Sequence, residues 1–337
     1  MILAKRRKKR LSPEEYVAGI LSGNRRILSK AITLVESTLS DDYTLAQEVI
    51  RLCLPHSGKS FRLGITGVPG VGKSTFIDAF GTQLTEMGHK VAVLAVDPSS
   101  TLSRGSILGD KTRMNRLSHN PHAFIRPSPT RGSLGGVAQK SRESMILCEA
   151  AGYDFLIVET VGVGQSEVTV HSMVDFFLLL MLPNAGDELQ GIKKGVMEMA
   201  DALIINKSDG AFLKKARISK VAYSQALRLF PRKTSGWRPP VLLVSALEET
   251  GLAKVTDTLF TYQKQMLANG NWIRRRENQA THWLKESIQY RLLSAFFSHP
   301  QVEQSLSQWE EAIRKQRSSP AQAADALIAQ WFNASKR

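Results

Sequence analysis

Eight residues, Gly67-Val68-Pro69-Gly70-Val71-Gly72-Lys73-Ser74, constrain this chain more than any other feature. They satisfy the pattern G-x-x-x-x-G-K-[ST]. They stand between a short β-like run, Phe61–Thr66, and a helical run that reaches about Met87. Glycines let backbone amides wrap closely around oxyanions, and the following helix turns its positive N-terminal end toward the same point. Lys73 reaches the β- and γ-phosphates of a nucleotide, Ser74 offers a hydroxyl to Mg²⁺, and Thr75 continues the helix behind them. The loop thus predicts a nucleoside triphosphate held with magnesium by Gly67 to Thr75. It also demands a strand before it and a helix after it.

The rest of the chain supplies that alternation. Val91–Val96, Phe155–Glu159, Phe176–Leu182, Ala202–Ile205 and Val241–Val244 are largely apolar runs separated by helical sequence. Such runs suit strands buried on both faces, as in a parallel sheet covered by helices. The expected fold class is α/β: a doubly wound, mostly parallel sheet with helical N-terminal and C-terminal extensions. Residues 1–57 form the first extension, a basic tail and then helices. Ser12-Pro13-Glu14-Glu15 has the form of an N-cap, a first-position proline and first-turn acids. Ile27, Ala31, Leu34 and Val35 mark a second, amphipathic helix. Residues 58–270 carry the P-loop domain. Inside it, a Ser/Gly/Thr-rich stretch after Pro98 reads as irregular to about residue 136, ahead of a helix over Val137–Ala151. Residues 271–337 read as a helical arm. Trp272, Trp283, Trp309 and Trp331 are spread along it and read as core or helix-packing residues, with partner-docking aromatics as the alternative.

Composition sets limits on class and partners. At 337 residues the chain exceeds what one compact core usually fills, and 42% hydrophobic residues suffice for a full core. The best candidate for a membrane span, Met173–Leu182, is too short and carries Asp175. Cys53 and Cys148 lie far apart in apolar contexts, which predicts two buried thiols and suits a reducing cytoplasm. The net charge of +15 suits an anionic partner: nucleic acid, an acidic membrane or an acidic protein. Lys5 to Arg10 supply six of the positive charges in one run, with no apolar signal region behind them. That run reads as a solvated tail, with a nucleic-acid tract as the alternative. No RNA-binding module is recognisable, so nucleic acid is the disfavoured partner.

Two further segments choose the base. Asn206-Lys207-Ser208-Asp209 follows the run Ala202–Ile205. An aspartate there can accept from both the ring N–H and the exocyclic amine of guanine. Adenine has no such pair of donors and would leave a buried Asp209 unpaired. Asn206 can tie this loop to the phosphate loop, and the Lys207 stem can cover the base or ribose. Ser245-Ala246-Leu247 follows the next run, where the Ala246 amide can donate to guanine O6. In this order, each at the C-terminal end of a strand, the pieces predict GTP and GDP as ligands. A plain helix cap after the strand is the alternative for Asn206 and Asp209.

Magnesium takes octahedral oxygen ligands. Beside Ser74, three acids qualify: Asp97 after Val91–Val96, Asp110 in the polar stretch beyond, and Glu159 at the end of its strand. One or more of them is expected to coordinate the metal, directly or through water. A turn role before Pro98 is the alternative for Asp97, and Gly109-Asp110 also suits a plain turn. Thr160-Val161-Gly162-Val163-Gly164-Gln165 follows, sequence suited to a segment that moves when the γ-phosphate leaves. Small GTPases carry D-x-x-G and then a glutamine that orients water. Here Glu159 replaces the aspartate, and Val163 stands where the glutamine would be. Hydrolysis then rests on Lys73, Mg²⁺ and another cation delivered by a moving loop. Gly186–Gly195, with Lys193 and Lys194, is either that loop or a solvated turn and helix start.

Together these blocks resemble the MeaB/ArgK GTPases, the group that includes the methylmalonic aciduria type A protein. The likeness is carried by the phosphate loop, Val96–Ser100, Gly105–Met114, Glu159–Glu167 and Leu189–Gly195, and it spans roughly residues 20 to 295. The resemblance implies a P-loop GTPase domain that hydrolyses GTP to GDP and phosphate. It implies a chaperone that gates cofactor loading and protection of an adenosylcobalamin-dependent acyl-CoA mutase, methylmalonyl-CoA mutase being the best-known client, with the mutase stimulating hydrolysis in return. It implies Mg²⁺ contacts at Ser74, Asp97, Asp110 and Glu159. It implies a mobile switch around Asp187–Lys193, with Lys193 joining Lys73 and Glu159 as catalytic residues. It implies a homodimer built with the C-terminal arm. An older name for the group invokes an arginine/ornithine transport kinase, and nothing in these residues supports that role. The competing readings are a P-loop kinase with its own acceptor and a nucleic-acid-associated GTPase.

Overall fold

Strand β1 (Phe61–Gly67) buries every residue except the half-buried Arg62, which requires a sheet covered on both faces. The structure is a computed structural model and describes residues 10–96, 114–127, 134–160, 166–183, 194–231 and 233–334. Among these residues seven strands form one sheet in the order β3-β2-β4-β1-β5-β6-β7, with every pairing parallel. The others are β2 (Val91–Val96), β3 (Ala123–Arg126), β4 (Phe155–Thr160), β5 (Phe176–Met181), β6 (Ala202–Ile205) and β7 (Val241–Leu243). After β1 the chain builds one side of the sheet through β4, then crosses β1 to build the other through β5 to β7. Strand order therefore reverses beside β1, and open α/β sheets bind ligands outside the C-terminal ends of the strands at such a reversal.

One core layer joins Leu63, Ile65, Phe155 and Phe176 of the sheet to Phe76 and Phe80, and to Leu259 and Tyr262 of the helix Leu252–Ala268. A second packs Leu203 and Ile205 against Ala216 and Tyr223 of the helix Leu213–Arg228. The doubly wound, parallel α/β expectation holds. One strand escaped it. Residues Ala123–Arg126, inside the stretch read as irregular, pair with Val91–Leu94 as the sheet's edge. The strand's four residues end in Arg126 and stand between Asn120-Pro121-His122 and Pro127, so no continuous apolar run marks it as it does the equally short β6. The helix expected from Val137 starts at Leu134 and ends at Ala150.

The N-terminal helices α1 (Pro13–Leu21), α2 (Arg25–Glu36) and α3 (Ser40–Cys53) follow from their caps and apolar spacing. Ser12 and Glu15 close a reciprocal capping box, with Pro13 in the first turn. Helix α2 buries Leu28, Ala31, Ile32, Leu34 and Val35 along one stripe. Gln47 donates to Glu143 at 2.9 Å, and Arg126 at the end of β3 pairs with Glu36. Cys53 and Cys148 are buried free thiols. Burial pushes the Cys53 thiol up to about 11.

The chain divides into two compact units, Met1–Gln279 and Ala280–Arg337. In the first, the root of the helix Asn271–Phe297 is fastened to the N-terminal ends of the inner strands β1, β5 and β6. Arg276 donates to both carboxylate oxygens of Asp175, at 2.8 and 2.7 Å, and to the carbonyl of Ser60 at 2.5 Å. Gln279 donates to the Val174 carbonyl at 2.8 Å. Arg275 donates to the Tyr262 hydroxyl at 3.0 Å and lies 3.4 Å from the Asp201 carboxylate, which Lys233 also meets at 2.6 Å. Burial opposes ionisation of Asp201, but Arg275 and Lys233 overcome it and hold the carboxyl below its usual range. Trp272 packs beside Phe61, with the Arg276 guanidinium 5.0 Å from its ring. In the second unit the helices Pro300–Arg314 and Pro320–Ala334 pack together and bury Val302, Ala323 and Leu327. Phe296 meets Trp331 edge-on at 5.7 Å. Among the described residues no helix is long and apolar enough to cross a membrane.

His171 lies 3.5 Å from the Arg275 guanidinium, and burial followed by that charge pushes its pKa down to about 4. The folded value lies below the unfolded one, so the unfolded chain takes up the proton first. The stabilisation is complete above about pH 6.5 and is lost as pH falls toward 4, up to about 3 kcal/mol. Urea midpoints measured across that window should fall, and His171→Gln should flatten the fall.

Candidate functional site

The phosphate loop leaves β1 at Gly67, where a Cβ would lie 2.5 Å from the Leu180 carbonyl of the neighbouring strand. Only glycine permits that approach. Gly72 is the N-cap of α4 (Lys73–Glu86) with φ +92°, and a Cβ there would meet the Asn206 amide at 2.9 Å. Between them Val71 is fully buried and anchors the loop in the core, while Pro69 and Gly70 are exposed. Val68 is half-buried. Ser74 and Thr75 follow Lys73 in the first turn of α4. The loop is thus a cradle kept open by missing side chains, at the positive end of a helix.

Lys73 lies across this cradle, its Nζ donating to the Gly67 carbonyl at 2.7 Å. Burial lowers its pKa, and Glu159 and Glu167 counter that effect. Glu159 stands opposite Ile65 in the β1–β4 register and is buried. The next residue, Thr160, meets Thr66 hydroxyl to hydroxyl at 2.9 Å beneath the loop. Glu167, also buried, sits in the first turn of the helix Ser166–His171. Its charge near Lys73 was not anticipated as part of the site; an acid opening the helix after the glycine-bearing switch was the available signal. The Ser74 hydroxyl and the Glu159 carboxylate are hard oxygen donors beside a phosphate cradle, a donor set that fits magnesium. Asp97, Asp110 and Lys193 lie outside the described residues, as do Val161–Gln165 and Asp187–Ile192.

The base loop is built by Asn206, immediately after β6. Its backbone N–H donates to Met181, its side-chain amide donates to the Val71 carbonyl at 2.9 Å, and its Oδ1 accepts from the Ala246 N–H at 3.1 Å. One side chain therefore joins the phosphate loop to both base segments. Lys207 adopts φ +56° and donates through Nζ to the Gly70 carbonyl at 2.8 Å, which lays its stem over the loop. The fully buried Ser245 donates its hydroxyl to the Asp209 carboxylate and accepts from the Glu248 N–H at 3.1 Å. Ser245 thus fixes the acid expected to read guanine. The Ala246 N–H, expected to point at guanine O6, is engaged with Asn206, so a bound base has to share that donor. Leu247 beyond it is exposed.

The comparisons agree with this architecture. Residues 28–301 match the family described as methylmalonyl Co-A mutase-associated GTPase MeaB. A probable GTPase of Mycobacterium tuberculosis is 50% identical over 309 residues, covering 92% of each chain. The mitochondrial methylmalonic aciduria type A homolog of Mus musculus is 46% identical, over 94% of this chain and 78% of its own length. The GTPase ArgK of Escherichia coli is 43% identical, over 95% and 98%. A crystal structure described as an LAO/AO transport system kinase superposes with a TM-score of 0.74 at 37% identity, covering 95% of this chain and 97% of that one. A phosphate cradle and a guanine-type base loop tied together by Asn206, on a parallel sheet shared with these relatives, make the chain a GTP-hydrolysing member of the MeaB family of mutase-associated GTPases.

Proposed function

We propose that this GTPase serves as chaperone to an adenosylcobalamin-dependent acyl-CoA mutase, gating cofactor loading and protecting the loaded enzyme. The observation that carries the reading is the match of residues 28–301 to a family described as mutase-associated. The relative from Mus musculus named for methylmalonic aciduria supports it. In this reading water attacks the γ-phosphate of GTP while Lys73 holds phosphate oxygens and the α4 N-terminus faces them. Magnesium, when bound, neutralises phosphate charge. Ser74 and Glu159 would hold it, with Asp97 and Asp110 as further ligands and Lys193 as the additional cation. Asn206, Lys207 and Asp209, with Ser245 to Leu247, seat the guanine. Val163 in the glutamine position leaves intrinsic turnover slow, so the client stimulates it. Residues 271–337 form the arm of a cytoplasmic homodimer.

The test is co-elution of the purified protein with methylmalonyl-CoA mutase, with and without a non-hydrolysable GTP analogue, plus GTP turnover with the mutase added. A complex whose stability depends on the nucleotide, and faster turnover, are the expected results. No complex in either state sinks the reading. Isobutyryl-CoA and ethylmalonyl-CoA mutases, run in parallel, identify the client. Label transferred from GTP to an acceptor, in place of free phosphate, would favour the kinase alternative.

A further inference from the structure

The helix Leu213–Arg228 carries five cations, Lys214, Lys215, Arg217, Lys220 and Arg228, and no acid. None of the five forms an ion pair among the described residues. The helix's inner face buries Ala216, Ser219 and Tyr223. Its outer face presents Lys214, Ile218, Val221, Gln225 and Arg228, spaced alternately by four and three residues. That spacing is the seam along which a second helix packs. The centre of the stripe is apolar and open: Ile218 is 62% and Val221 57% exposed. Both are β-branched, so local helix propensity does not favour them there. Exposed Phe212 precedes the helix, and Leu229, 86% exposed, follows it.

At its far end the helix opens onto a cleft of about 500 Å³ lined by Leu227, Arg228, Phe230, Trp237 and Arg238. Lys233, also on its wall, is engaged by Asp201, whereas Arg228 and Arg238 form no ion pair among the described residues. An aliphatic seam flanked by unpaired cations and ending in an aromatic pocket complements one kind of surface. That surface is an acidic helix with its own apolar stripe and a large apolar side chain near one end. A nucleic-acid backbone would find no donors at Ile218 and Val221, the middle of the seam.

We propose that the face of Leu213–Arg228, with the adjoining cleft, is the docking surface for an acidic amphipathic helix of the client mutase. This rests on the chaperone reading. The helix starts four residues after Asp209, so a partner seated on it lies beside the guanine loop.

Two variants test it: Lys214→Glu/Arg217→Glu/Lys220→Glu, and Ile218→Ser/Val221→Ser. Each is compared with wild type for affinity toward methylmalonyl-CoA mutase, unstimulated GTP turnover and melting temperature. Both should weaken mutase binding about tenfold or more. The charge variant should also flatten the salt dependence, and unstimulated turnover should stay at the wild-type level in both. If wild type binds the mutase and both variants bind equally well, the docking surface is overturned while the chaperone reading stands. If wild type does not bind the mutase, the chaperone reading falls and takes this occupant with it. Phosphatidylserine vesicles are the third arm. Vesicle binding lost in both variants, with mutase binding intact, assigns the face to a membrane and overturns the proposal.

Discussion

Lys73→Ala should lower GTP turnover by about a thousandfold or more, because phosphoryl transfer relies on positioned charge rather than on covalent help from the protein. The ammonium already lies in the loop, held by the Gly67 carbonyl at 2.7 Å. Phosphate oxygens have only to replace that carbonyl, so little reorganisation is needed when substrate arrives. The loss has a second part. Glu159 and Glu167 both act electrostatically on Lys73. Without the lysine, two buried acids lose that cation as the triphosphate arrives. Lys73→Arg should rescue poorly, since a planar guanidinium fork does not reproduce a compact ammonium that donates to the Gly67 carbonyl inside the loop. Single-turnover phosphate release measures the effect, with melting temperature as the control for folding. Turnover within threefold of wild type would remove Lys73 from the catalytic set.

Asp209→Asn should weaken GDP and GTP binding by about a hundredfold or more, since charge-assisted hydrogen bonds to the base are lost and one donor is set against another. In the proposed base assignment the carboxylate accepts from two guanine donors at once. An asparagine accepts from one and presents its amine to the other. Xanthine carries a carbonyl where guanine carries the exocyclic amine, so the same variant should gain affinity for xanthosine nucleotides. Ser245 holds the Asp209 carboxylate in place, and its hydroxyl can donate equally to an asparagine oxygen, which keeps the loop formed. Titrations with GDP, XDP and ADP report the outcome. Unchanged GDP affinity, or wild-type protein binding ATP as tightly as GTP, would contradict the base assignment.

The phosphate loop, the parallel strands and the N-terminal caps were legible because each is a local pattern. Glycines at fixed spacing, continuous apolar runs and Ser12-Pro13-Glu14-Glu15 all carry their meaning within a few residues. Strand β3 was not legible, being four residues long in polar surroundings. The tie from Asn206 to the phosphate loop was expected from chemistry, but its second bond, to Ala246, depends on two loops 40 residues apart meeting. Ser245 as the residue that fixes Asp209 has the same origin. The charges at the root of the C-terminal helix were the hardest to read. In sequence, Asp175 merely interrupts an apolar run, and Arg275-Arg276 looks like a solvated pair. Only the fold, which places the end of one segment beneath the start of another, reveals that they compensate each other.

That arrangement separates the shortest fragment that contains the described residues proposed to bind nucleotide from the shortest that can hold them in shape. A chain cut at residue 270 would retain the phosphate loop, Asn206, Asp209 and Ser245. It would also strip Asp175 of Arg276, and deprive Asp201 of one of its two cations. Removing a cation from a buried ion pair costs several kcal/mol, although the Arg62 N–H stays on Asp175 and Lys233 stays on Asp201. Truncation mapping that scores nucleotide binding alone would therefore place the end of the active site too far along the chain, mistaking loss of the frame for loss of a contact.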